Sequence, residues 1–228
     1  MKWQIFDSAE AQAKGLADEI GEKIANLLEQ QDLVTLCVPG GTTPALFLDQ
    51  LSQIELDWSR VRVVLNDERW VPLDDALSNE QMLRNVLLNN MASNAQIVAL
   101  YNNDLNIDEA VVDFNQHKID SLLPLDICVL GMGEDGHTAS LFPVMQDQAQ
   151  ALDDTEAAKM IVARVEGKDE LRVSFNLSAL ISGDHIYALI KGETKKAVIT
   201  KASEQKDNHL PISYVLTAKP VSVYYTGQ

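Results

Sequence analysis

The sequence predicts an α/β protein, a three-layer doubly wound fold with a mostly parallel sheet and helices on both faces. Three observations carry this. Apolar runs such as "LVTLCV", "DICVLG" and "HIYALIKG" alternate with amphipathic segments of about a dozen residues, the rhythm of strand–helix units around a parallel sheet. No repeat, low-complexity tract or proline-rich linker divides the 228 residues, so 1–228 reads as one domain. Loops of unusual chemistry, "PGGTTP", "NDERWV" and "GMGEDGHT", follow the strands, where ligands of such sheets collect.

The elements follow in chain order. Residues 8–31 place Ala9, Ala13, Leu16, Ala17, Ile20, Ile24, Leu27 and Leu28 at helical spacing, with Ser8 as N-cap. "LVTLCV" is a buried strand. "PGGTT" leads into a second helix, with Thr43 as N-cap and Pro44 in the first helical position, where a missing N–H is harmless. Residues 61–66 form the next strand, and Ser78 with Gln81 makes a capping box for the helix "NEQMLRNVLLNN". Asp108 caps a helix running through Leu123, ahead of the strand "DICVLG". The strands "LRVSF" and "HIYALIKG", the helix "ETKKAVITKAS" and the strand "VSVYY" complete the chain.

Composition narrows the function. Hydrophobic residues make up 46% and charged residues 23%, as in soluble globular proteins. No apolar stretch approaches the ~20 residues that cross a bilayer, and "MKWQIFDSAEAQAKG" lacks a signal peptide's apolar core. A cytoplasmic protein without a membrane partner is expected. The net charge of −16 argues against nucleic acid, whose phosphates demand clustered lysine and arginine. A small anionic ligand remains compatible, provided local cations and backbone N–H groups overcome the surrounding field. Cys37 and Cys128 lie inside apolar runs and read as core. They lack metal-ligand spacing, so no metal site is expected. Oligomeric state is open, with a monomer as the default.

"GMGEDGHTASLFP" contains G-x-G-x-x-G after a strand, the spacing of a dinucleotide-binding turn. That turn must open a long helix, and Pro143 interrupts any helix starting here. The acidic residue required ~20 positions on should end a second strand, whereas Asp153 and Asp154 fall in a polar stretch. A nucleotide site is therefore rejected. What remains is a tight turn carrying Asp135 and His137. Spacing leaves two readings open: an imidazole oriented by a carboxylate for proton transfer, or a helix cap beside a packed histidine. His117, His185 and His209 read as structural or solvated. "PGGTTP" offers N–H donors and a helix N-terminus to an anion. Arg69 is suited to a two-pronged anion contact, and Arg172 sits inside an apolar run. Lys195 and Lys196 open a helix near another strand end, and spacing does not choose between them.

These blocks, in this order and across nearly the whole chain, resemble the 6-phosphogluconolactonase family. "DICVLGMGEDGHTASLFP" is similar to its signature block, "PGGTTP" to its "SGGSTP" turn and "NDERWVPLDDALSNEQML" to its "DER-V-…-SN" segment, with weaker likeness in "LRVSFNLSAL" and "GETKKAV". The resemblance implies hydrolysis of 6-phospho-D-glucono-1,5-lactone to 6-phosphogluconate in the oxidative pentose phosphate pathway, without metal or organic cofactor. It implies that His137 is the base activating water and Asp135 its acidic partner. Arg69 would bind substrate and Asp67 support the site, while Gly41, Thr42 and Thr43 cradle phosphate and Arg172 and Lys195 contact it. Backbone N–H groups of the glycine turn are candidates for stabilising the oxyanion. Two departures stand out: Pro39 replaces a serine, and "VSFN" a more threonine-rich strand. The alternatives are a sugar-phosphate isomerase or deaminase on the same fold, or a non-catalytic sugar-phosphate-binding module. Deaminases carry an "IAFNEP"-like segment with a glutamate after the histidine. "TASLFP" puts Leu141 and Phe142 there instead.

Overall fold

Apolar runs flanked by amphipathic helices pair side by side. The computed structural model describes residues 1–167 and 169–227. In chain order its strands are β1 (Lys2–Phe6), β2 (Val34–Val38), β3 (Val61–Leu65), β4 (Asp67–Arg69), β5 (Gln96–Val98), β6 (Ile127–Leu130), β7 (Met160–Ala163), β8 (Arg172–Phe175), β9 (His185–Lys191) and β10 (Val221–Thr226). The helices are α1 (Ala9–Leu28), α2 (Thr42–Ser52), α3 (Asn79–Leu87), α4 (Ile107–His117), α5 (Ile119–Leu122), α6 (Gln148–Ala151), α7 (Leu177–Leu180), α8 (Glu193–Ala202) and α9 (Ile212–Ala218).

Seven strands form one sheet in the order β1-β10-β9-β6-β2-β3-β5, and every pairing in it is parallel. All five residues of β2 and all four of β6 are buried, so helices cover both faces of the sheet centre. Cys37 and Cys128 pair in register across β2 and β6, free and buried. Burial, with the neighbouring thiol, pushes Cys37 well up from its ordinary value, which leaves it an inert core thiol. Among the described residues no helix is long and apolar enough to cross a membrane.

The expected parallel sheet is present, but not every strand belongs to it. "LRVSF" contributes β8 to a separate antiparallel sheet of order β4-β8-β7. "NDERWV", read as a loop, supplies β4. The marginal strands β1 and β5 carry no fully apolar run, with exposure patterns that mix exposed and half-buried residues, and α9 follows a polar loop. None of these was marked by apolar spacing.

Caps explain the shifted helix starts. Ser8 caps α1 as expected, its Oγ accepting the Ala11 N–H at 3.1 Å. α2 starts at Thr42, after Gly41 at φ 106°, so Thr43 lies inside the helix and is not its N-cap. Only glycine adopts that backbone without strain. Pro44 is consequently the third helical residue, still within the turn whose N–H groups lack intrahelical acceptors. α4 is capped by Asn106 and not by Asp108. Asn106 Oδ1 accepts the Glu109 N–H at 3.0 Å, and Glu109 Oε2 accepts the Asn106 N–H at 3.1 Å. That helix ends at His117, and the separate turn α5 completes the stretch.

The start of α3 is held from outside. Ser78 Oγ accepts the Gln81 N–H at 3.1 Å, but the reciprocal half of the expected box is not made, because the Ser78 N–H donates to Asp75 O. The buried Glu68 carboxylate takes over. Its Oε1 accepts N–H groups of Arg69 and Asn79 at 2.7 and 2.8 Å. Its Oε2 accepts the Glu80 N–H at 2.7 Å and the Ser78 hydroxyl at 3.1 Å. Burial pushes this carboxyl above its ordinary value, and the four donors only partly offset that. A negative charge at a helix N-terminus is favourable, so Glu68 ties β4 to α3.

Gln12 makes a similar tie on α1. Its buried Nε2 donates to Ile190 O and Tyr224 O, each at 2.8 Å, joining the helix to β9 and β10. Gln12→Leu, which removes both bonds, is expected to lower the unfolding free energy by about 1–3 kcal/mol in urea denaturation. Glu68→Gln keeps the shape but turns one acceptor oxygen into an NH₂ group facing two donors, and a loss of about 2–3 kcal/mol is expected by the same measurement.

Candidate active site

The neighbouring strands β9, β6, β2 and β3 run parallel, so their carboxyl ends open on one edge of the sheet. The loops leaving that edge surround a cavity of about 400 Å³. Gly41, Thr42, Thr43, Asp67, Arg69, His137, Arg172 and Lys195 line it. Asp135 stands behind His137. Residues separated by more than a hundred positions therefore converge because the sheet places their strands side by side.

The antiparallel sheet sets one wall. In the β4–β8 register Asp67 faces Ser174 and Arg69 faces Arg172, and side chains opposed in a pair point to the same side. Asp67, Arg69, Arg172 and Ser174 thus share a face, with Glu68 and Val173 on the other. Period two alone sends the acid and the arginine of "DER" to the cavity and the glutamate back to α3. Contacts agree. The Ser140 hydroxyl donates to Asp67 Oδ2 at 2.5 Å, and the Ser140 N–H to Ser174 Oγ at 3.2 Å. Arg172 Nη1 lies 3.6 Å from Asp67 Oδ2.

Arg69 is fixed by a residue not singled out in the sequence. Its Nη1 donates to Leu77 O at 2.8 Å and to Asn79 Oδ1 at 3.0 Å. Asn79 Nδ2 in turn donates to Asp67 O at 3.2 Å. A Cβ at position 40 would fall 2.1 Å from Asn79 Cγ, so Gly40 leaves the space that Asn79 fills. The glycine pair therefore has two duties: Gly41 starts α2, and Gly40 admits Asn79. Periodicity assigned Asn79 only to the start of a helix, and the signal that links it to Gly40 lies in three dimensions.

The opposite wall is the turn after β6. His137 Nδ1 lies 2.5 Å from Asp135 Oδ1, and the ring packs on Phe142 at 4.6 Å between centroids. The ring remains 30% exposed. Donation from Nδ1 places the lone pair on Nε2. Burial works to raise the Asp135 carboxyl, but the charge of His137 and bonds from its backbone and ring prevail, holding it below the usual carboxylate range. A Cβ at position 133 would come within 2.2 Å of His137 Nδ1, so the G-x-G spacing serves the histidine.

The N–H groups of this turn are largely committed to it. Gly133 donates to His137 O at 2.9 Å and Gly136 to Gly133 O at 3.1 Å; the His137 N–H reaches Asp135 Oδ1 at 3.2 Å. Those three are not free to hold an oxyanion, which narrows the candidates within the glycine turn. The unsatisfied amides of the α2 start, at Thr42 and Thr43, lie on the cavity wall instead.

The lysines are now separated. Lys195 lines the cavity. Lys196 turns away, its Nζ 4.9 Å from the Tyr225 ring and 3.7 Å from Glu193 Oε2. His117 pairs with Asp113 at 3.1 Å; it, His185 and His209 lie outside the cavity wall. Among the described residues no group of three or more His, Cys, Asp or Glu side chains is arranged to hold a metal ion.

Comparison with known proteins matches this arrangement to a family. Residues 7–224 fit the family model of glucosamine-6-phosphate isomerases/6-phosphogluconolactonase. The 6-phosphogluconolactonase of Rhizobium meliloti is 37% identical over 224 residues, covering 97% of each chain. That of Pseudomonas aeruginosa is 34% identical over 223 residues, covering 97% of this chain and 93% of its own. The crystal structure of a 6-phosphogluconolactonase from Shewanella baltica superposes with a TM-score of 0.88 at 32% identity, covering 99% of this chain and 97% of the other. With the parallel sheet, the loops at its carboxyl edge and near full-length similarity in agreement, this chain belongs to the glucosamine-6-phosphate isomerase/6-phosphogluconolactonase family.

Proposed function

We propose that this protein hydrolyses 6-phospho-D-glucono-1,5-lactone to 6-phosphogluconate, a step of the oxidative pentose phosphate pathway, with His137 as general base. One observation carries the reading of the site: a carboxylate-held imidazole and a set of cations share one cavity. Relatives named 6-phosphogluconolactonase, similar over nearly the whole chain, support the reaction.

A lactone is a cyclic ester already activated toward water, so a base, orientation and charge stabilisation suffice. His137 Nε2 removes a proton from water as its oxygen bonds to the ester carbon. The carbonyl electrons move onto oxygen, beside the cationic wall, and the tetrahedral species collapses. The ring C–O bond breaks, and imidazolium returns the proton to the leaving ring oxygen, which becomes a hydroxyl. Asp135 holds the ring tautomer and its charged form. Being held below the usual range, this carboxylate stays ionised through mild acid. Gly41, Thr42 and Thr43, at the positive end of α2, cradle phosphate. Lys195 and Arg172 contact it, Arg69 binds substrate, and Asp67 orients Arg172. The enzyme acts as a cytoplasmic monomer of one domain, with no nucleic-acid or membrane partner.

An isomerase or deaminase is not favoured. Leu141 and Phe142, where the deaminase pattern carries its glutamate, are buried at 0% and 8% exposure and supply no acid for ring opening.

His137→Ala is expected to lower turnover by about 10²–10⁴-fold after spontaneous lactone hydrolysis is subtracted, while 6-phosphogluconate still binds. Near-native rates would remove His137 as base, and binding without any catalysed hydrolysis in the native protein would leave only a binding module. Lys195→Ala is expected to raise KM by about tenfold, the loss of one charge-assisted contact. Lys196→Ala should stay near the native KM; the reverse order would exchange the two lysines' roles.

A further inference from the structure

Arg69 and Arg172 oppose each other across β4 and β8, where like charges repel. What lies between them is the carboxylate of Glu170, in the connection leading into β8. Its Oε1 accepts the Arg172 Nε–H at 2.6 Å and also touches Nη2 of the same guanidinium. Its Oε2 lies 3.6 Å from Arg69 Nε, a buried atom with no hydrogen-bond partner among the described residues. One carboxylate therefore spans both cations, while Arg69 retains an unused donor toward it.

The pair of arginines is better anchored than the acid. Arg69 is fastened by Leu77 O and Asn79 Oδ1, and Arg172 is flanked by Asp67 and lies 5.7 Å over the Phe142 ring. Their side chains are 27% and 20% exposed, against 40% for Glu170. The acid lies on the solvent side and can swing out; the cations are held in the wall.

We infer that Glu170 is a built-in counter-anion of the Arg69–Arg172 pair, displaced by the anionic substrate as it binds, so that this side chain sets both affinity and selectivity. The inference rests on the reading of these two arginines as substrate-binding. In an acidic chain, a resident carboxylate keeps two opposed guanidinium groups paired until a stronger anion arrives. A phosphate monoester carries up to two charges and three terminal oxygens, enough to replace a carboxylate with one charge. A neutral sugar lactone offers no charge and leaves Glu170 seated. Unphosphorylated lactones are thereby penalised twice, by the missing anion contact and by a site that remains filled.

The alternative role for Glu170 is to orient the arginines for the ligand, and the two roles predict opposite signs. Titration of the whole protein with inorganic phosphate and with 6-phosphogluconate, in the native form and in Glu170→Gln and Glu170→Ala, reads the difference. Displacement predicts that both variants bind both anions about three- to tenfold more tightly, as expected for removing a partly exposed competing ion pair, with KM for the phosphorylated lactone falling in step. Unchanged or weaker binding in both variants overturns the inference. Arg172→Ala separates that failure from failure of the underlying reading. If it weakens phosphate binding, the arginine pair is the anion site and the Glu170 result stands on its own. If it does not, the reading of the pair fails, and the counter-anion falls with it.

Discussion

The His137 ring occupies the volume that a side chain at position 133 would fill. That contact fixes much else. It sets the ring against Asp135, so one nitrogen is committed and the other carries the free lone pair. It packs the ring, tilted, on Phe142, which also lies beneath Arg172. Imidazole, aromatic support and cation are thereby one packed unit rather than three separate side chains. The position of that unit depends in turn on the sheet, because β6 delivers the turn to the edge where β2 and β3 deliver theirs.

The second constraint is electrostatic. A chain with a net charge of −16 must bind a phosphorylated, negatively charged substrate. Cations gather at one edge of the sheet, around the cavity, and the acids near them have specific partners. Glu68 faces away and closes a helix, Asp135 holds an imidazole, Asp67 accepts from Ser140 and lies beside Arg172, and Glu170 pairs with the arginines. Local geometry, not overall charge, decides what the cavity attracts.

Much of this was legible in the sequence. The central strands announce themselves as apolar runs because burial on both faces demands it. The three loops could be recognised because glycines, a histidine and an arginine cluster just after strands, where ligands of such sheets collect. What escaped is equally physical. β4 is three residues long and polar, and it exists only through pairing with β8, whose register no local pattern records. Asn79 reads as an ordinary helix start until Gly40 is seen to make room for it. The choice between Lys195 and Lys196 needs the helix rotation that turns one toward the cavity and the other toward Tyr225. Caps at Gly41 and Asn106 displaced those assigned to Thr43 and Asp108, since several residues compatible with capping stand side by side.

The first strand has a further consequence for how the molecule is assembled. β1 has a single neighbour in the sheet, β10, and Lys2 aligns with Ser222. A nascent chain emerging from the ribosome can collapse around β2, β3 and β6 early, but β1 has no docking place until β10 has been translated. Contacts so distant along the chain slow the search for the native state. Until β10 is available β1 stays unpaired and open to mispairing.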